Sequence, residues 1–217
     1  MTEVTLRGRH VILKMYLKEA LDLVFPFPVL LFIDDNLTTG ACWIDQHGNK
    51  KLYPIQGDPV GIIQELLYCC DFLMKGEELE GGGFVGNLRK YARKLGFPVK
   101  EGTKLYFTSL VIYLGEYIFE LDDGFTKVHY YNVPLKDTNC QEFKKYEGTI
   151  TIPLSEFIED VLKISREFLE KYAPVIEKKI TGQGGETGGY GYLWELYREV
   201  EGLYKKKFGE DNTSDTN

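Results

Sequence analysis

The chain has 217 residues, 43% apolar and 27% charged, with 23 glycines and 8 prolines. This is the composition of a folded globular protein, and it excludes collagenous, coiled-coil and disordered chains. Acids outnumber bases by 33 to 26, for a net charge of −7; a phosphate backbone or an anionic membrane would repel such a chain, so nucleic acid is not expected as a partner and a basic protein suits it better.

Val4 to Leu17 alternates in patches and predicts a bent strand or a hairpin broken near Gly8. The continuous apolar run Val29 to Ile33 predicts a strand covered on both faces, stopped by Asp34-Asp35-Asn36. Ala41 to Asp45 and Lys51 to Ile55 flank the turn-forming Gln46-His47-Gly48-Asn49, which makes a hairpin. Asp58 before Pro59 is an N-cap with proline at the first helical position. Ile62, Ile63, Leu66, Leu67, Cys70, Leu73 and Met74 then recur at helical spacing, predicting a helix over 59–75. A second helix is expected from Phe84 through Leu88, Tyr91 and Leu95 to Gly96.

Strands resume at Leu105 and run, with a break at Gly115, to Leu121, where Asp122-Asp123-Gly124 turns the chain into Phe125 to Val133. The polar stretch 136–148 is read as loop, and Thr149 to Ile152 as a short strand. Ser155 is the predicted cap of a long helix carrying Phe157, Ile158, Val161, Ile164, Phe168, Leu169, Tyr172 and Ile176, kinked at Pro174. Six glycines between Gly182 and Gly191 precede a last helix marked by Leu193, Leu196, Tyr197, Val200, Leu203 and Tyr204. The expected fold is α+β: mainly antiparallel sheet with about four helices packed on it, in one domain over 1–208 with a frayed polar tail at 209–217.

An internal pseudo-repeat, with halves 1–100 and 103–208, stays open. Gly82-Gly83-Phe84 with Tyr91 and Gly96 keeps the spacing of Gly188-Gly189-Tyr190 with Tyr197 and Gly202.

Cys42, Cys69, Cys70 and Cys140 form no C-x-x-C pair, and reduced thiols are expected of all four. Met1-Thr2-Glu3 lacks a basic leader and Leu23 to Ile33 is short and broken by prolines, so neither a signal peptide nor a membrane span is expected and the expected setting is cytoplasmic.

Gly81-x-Gly83-x-x-Gly86 has the spacing of a dinucleotide loop, but three glutamates precede it where a parallel strand should stand. A milder form is an anion site built from Gly82, Gly83 and Gly86 with Arg89 and Arg93 on the following helix; a solvated charged face is the competing reading. Leu30-Leu31-Phe32-Ile33-Asp34-Asp35 has the outline of a Walker B strand, yet no phosphate-cradling Gly-x-x-x-x-Gly-Lys-[Ser/Thr] exists in the chain. Asp34 and Asp35 are the acids nearest to a metal site, and an acidic turn is the better reading; no metal and no cofactor are expected. His10, His47 and His129 fall in no ligand spacing, and His129 reads as a strand-face residue. No catalytic residue is singled out.

Aromatic residues reach 14%, with 15 tyrosines. Tyr190, Tyr192, Trp194 and Tyr197 crowd the end of the glycine-rich stretch and form the candidate partner-binding surface, with core filling as the alternative. The hairpin-then-helix run from Cys42 to Met74, which holds no diagnostic motif, is similar to stretches of the SUKH superfamily of bacterial immunity proteins. That resemblance implies a protein that masks a basic toxin or nuclease. The expected function is therefore a non-enzymatic acidic protein-binding module of the immunity or inhibitor kind. The alternative is a small-molecule or nucleotide-handling enzyme using the Gly81–Gly86 loop and the Asp34–Asp35 strand end.

Overall fold

Alternation of apolar and polar residues sets one face of each strand toward a common core, and the computed structural model shows how those faces meet. It describes residues 2–17, 27–76, 88–111, 115–136, 145–182 and 189–209. The architecture is α+β with antiparallel sheets.

The first sheet runs β1 (Thr2–Arg7), β2 (Val11–Leu17), β3 (Phe27–Ile33) and β4 (Asn36–Thr39), each antiparallel to the next. Leu13 lies opposite both Leu6 and Leu31, and Met15 opposite both Val4 and Val29, so one apolar face forms across three strands. The run that ends at Asp34-Asp35 does not simply stop. Both aspartates adopt positive φ, 48° and 62°, and the two-residue turn folds Asn36 back onto Ile33. β7 (Ile55–Gly57) pairs with the other end of β3. Between them the hairpin β5 (Ala41–Ile44) and β6 (Lys50–Tyr53) forms a separate two-stranded sheet.

The second sheet is a meander of β8 (Lys104–Val111), β9 (Gly115–Asp122), β10 (Phe125–Asn132) and β11 (Glu147–Pro153). β11 therefore begins inside the stretch read as loop from sequence: Tyr131 lies opposite Glu147 and Tyr130 opposite Gly148. Any side chain at Gly148 would meet the Tyr130 ring, which explains glycine there. The two sheets join where the Asn132 side-chain amide donates to the Leu37 carbonyl (2.9 Å) and the Thr39 and Tyr117 hydroxyls bond.

Helix α1 (Pro59–Lys75) packs on the inner face of the second sheet, α4 (Leu154–Lys171) on both sheets, and α6 (Gly191–Phe208) lies across α1 and α4, all in one continuous core. Asp58 caps α1, accepting the Val60 N–H at 3.0 Å. The predicted Ser155 cap is corrected. α4 begins at Leu154 after Pro153, which has no side-chain acceptor, and the Leu154 N–H is satisfied instead by the Gly124 carbonyl of the β9–β10 turn (2.9 Å). The kink predicted at Pro174 is a break, with α5 (Ala173–Gly182) starting after Tyr172. On the outer faces, α2 (Leu88–Lys94) covers the second sheet with Ala92 and Phe97, and α3 (Val133–Lys136) with the β5–β6 hairpin covers the first through Cys42, Leu30 and Leu135.

The expectation of four reduced thiols is corrected at Cys42, which is disulfide-bonded. Cys69 and Cys70 are free and fully buried, and burial pushes both thiols well above their ordinary pKa. Cys140 lies outside the described residues. No helix among the described residues is long and apolar enough to cross a membrane.

Candidate functional site

The residues singled out in sequence fall in three places. Gly82, Gly83 and Gly86 lie outside the described residues. Arg89 donates to the carbonyls of Lys100 and Thr103, and Arg93 pairs with Glu101, so both guanidinium groups are held toward the loop after α2. Asp34 faces His10 across 3.3 Å, and Asp35 completes the turn. Among the described residues no group of three or more acids, histidines or cysteines is arranged to hold a metal.

The four aromatic candidates are divided by the helix they share. Tyr197 is buried in line with Leu193 and Val200, one stripe at helical spacing. Tyr190 and Trp194 pack against the core, and Arg198 lies over the Trp194 ring. Tyr192 remains 46% exposed, and its hydroxyl donates to Gln64 of α1 (3.2 Å) one turn before the 41% exposed Tyr68. Burial first, then the charges of Asp58 and Glu177, push the Tyr190 phenol up to about 12; burial, Asp58 and Tyr68 raise that of Tyr192. These rings therefore stand in a negative field.

A second constellation lies on the outer face of the second sheet. His129 of β10 is opposite Thr149 of β11, and Glu120 of β9 is diagonal to it on the same face. Glu120 and His129 have fully buried side chains and lie 3.0 Å apart, Oε2 to Nε2. The other Glu120 oxygen accepts the Lys100 N–H (2.8 Å) and the Thr103 hydroxyl (2.5 Å). Burial works to raise the Glu120 pKa, but these three donors outweigh it and hold the carboxyl below its usual range. Burial likewise lowers the His129 pKa, against the pull of Glu120. A neutral imidazole beside a carboxylate must carry its proton on Nε2, which leaves Nδ1 as an acceptor. Nδ1 is 2.8 Å from the Thr149 hydroxyl, so Thr149 donates to it. Phe97 stacks on the imidazole, with ring centroids 5.4 Å apart. Thr149 is exposed.

Along the same face runs a groove of about 450 Å³ walled by Tyr91, Tyr131, Tyr146, Glu116, Glu147 and Lys136, among others. Tyr91 donates to Glu116 (2.7 Å), and the Lys136 ammonium lies about 6 Å over the Tyr131 and Tyr146 rings, which meet edge to face. Sequence reasoning placed His129 on a strand face and went no further, because the partners it meets stand on two other strands.

No family model, curated protein or solved structure matches the chain.

Proposed function

We propose that this protein is an acidic protein-binding module of the immunity or inhibitor type, which receives a basic segment of its partner on the tyrosine surface shared by α1 and α6. The observation that carries this reading is the exposure of Tyr192 beside Tyr68, with the Asp58 carboxylate acting on Tyr192. Tyrosine offers a broad apolar face at small conformational cost, and an arginine or lysine gains from both the ring and the nearby negative charge. The net charge of −7 adds long-range attraction for such a partner. The cytoplasmic setting expected from the sequence belongs to this proposal, although the disulfide at Cys42 pulls against it, because reducing cytosol keeps most thiols free.

An oligo-arginine peptide tests the reading directly, with tyrosine and tryptophan fluorescence as the readout. Saturable binding that weakens with salt, and falls by about tenfold when Tyr192 and Tyr68 are both replaced by alanine, is expected. Binding that ignores both substitutions, or no binding at low salt, overturns it.

A further inference from the structure

A run of hydrogen bonds on the outer face of the second sheet leads from a buried carboxylate through a buried imidazole to an exposed hydroxyl: Glu120, His129, Thr149. The order matters, because it leaves the only open end at an oxygen that is already giving its proton to a base. We infer that Thr149 is an acyl-acceptor site, its hydroxyl activated by His129, which takes an acyl group from a thioester or a comparably activated ester lying in the adjacent tyrosine groove.

The groove is positioned for this. Its wall residues Glu147 and Tyr131 are each two residues from Thr149 and His129 on the same strand faces, which places them roughly 7 Å along the sheet. An acyl donor seated among Tyr91, Tyr131 and Tyr146 therefore reaches Thr149 with its carbonyl.

The chemistry follows from what is sealed and what is open. Thr149 Oγ1 attacks the carbonyl carbon and its proton passes to His129 Nδ1; the C–S bond breaks and the thiolate leaves with the electron pair. His129 then loses the acquired proton, which ends on the released thiol. The imidazole is fully buried behind Thr149, so it accepts a proton from that oxygen but does not deliver one to a poor leaving group in the transition state. Amides and alkyl esters are excluded as donors for that reason. Once acylated, Thr149 has no hydroxyl left to give, so the product is an O-acyl threonine, one per chain, rather than a turnover enzyme. Glu120 acts as a positioning residue that fixes the imidazole tautomer.

The folded full chain is incubated with p-nitrophenyl acetate and, separately, with an N-acetylcysteamine acetyl thioester, and acylated sites are read by peptide mapping. Thr151 supplies an internal control, since it is exposed on the same strand face but lies opposite Lys127 instead of a histidine. Thr149 is expected to be acylated at least about tenfold faster than Thr151, a preference that general-base assistance readily provides. It persists in Thr149→Ser and disappears in urea. In Glu120→Gln the amide oxygen takes the donors from Lys100 and Thr103, leaving the NH₂ to face Nε2; the imidazole turns to carry its proton on Nδ1. Nitrogen NMR reads that reversal, the preference for Thr149 falls to that of Thr151, and Glu120→Asp restores part of it. Equal acylation of the two threonines in the folded native chain overturns the inference, as does a preference that survives Glu120→Gln with the tautomer reversed.

Discussion

His10 and His129 respond to pH with opposite sign. His10 lies 2.8 Å from Glu156 and 3.3 Å from Asp34; burial works to lower its pKa, and the two carboxylates, aided by the charge of Asp160, outweigh it and raise it. Its contribution to stability is therefore full below the unfolded value of about 6.5 and is lost as pH rises through the raised folded value. His129, lowered by burial, contributes above the unfolded value and loses that contribution as pH falls through the lowered one. Replacing His10 with glutamine is expected to lower Tm more at about pH 5.5 than at about pH 8, measured by thermal unfolding, whereas acid alone should weaken the His129 region. An equal loss at both pH values removes the ion-pair account of His10. Neither setting was legible in the sequence. Helical and strand periodicity tells which side of an element a residue takes: Tyr197, a partner-binding candidate by its aromatic neighbours, has the spacing from Leu193 and Val200 of a core position and is buried with them. It does not tell which strand lies next door, and Glu120, His129 and Thr149 meet only through that neighbourhood.

Local signals specified several elements well. Asp58-Pro59 set the start of α1, and Asp122-Asp123-Gly124 set the β9–β10 turn, with Asp123 and Gly124 both at positive φ. Long-range contacts decided the others. α4 starts without a side-chain cap because a carbonyl from a distant turn replaces one. The β1–β2 turn likewise depends on α4, since Asp160 accepts the backbone N–H groups of Arg9 (2.7 Å), His10 and Val11 (3.0 Å). Gly8 is required beside it, because a β-carbon there would collide with the Asp160 carboxylate. Asp160→Ala leaves these donors without their acceptor at a site only 6% exposed, and the expected loss is about 3 kcal/mol. Urea unfolding should show a lower midpoint with an unchanged slope; a change under about 0.5 kcal/mol would mean that water replaces the carboxylate.

Across the whole molecule, one core joins both sheets and the helices α1, α4, α5 and α6, while Cys42 belongs to a smaller cluster on the outer side of the first sheet. Of the four cysteines, Cys69 and Cys70 are free and Cys42 is cross-linked. Peptide mapping without reduction is expected to recover Cys42 in a cross-linked peptide and Cys69 and Cys70 as free thiols. Reduction should then lower stability by about 2–4 kcal/mol, the usual contribution of a disulfide. An unchanged Tm in reductant would make the cross-link energetically idle. Its existence was hidden in the sequence because spacing reveals clustered cysteines, not pairs that meet through the fold.

The plug formed by Asp160 also orders events during synthesis. The β1–β2 turn leaves the ribosome before its acceptor, which lies about 150 residues later. Until α4 has emerged, the turn's N–H groups must be met by water, and the strands on either side have no helix against which to bury Leu6 and Leu13. The N-terminal sheet is thus made early and completed late. A nascent chain stopped before residue 160 holds that sheet with one face uncovered, and it becomes a substrate for chaperones until the rest of the protein arrives.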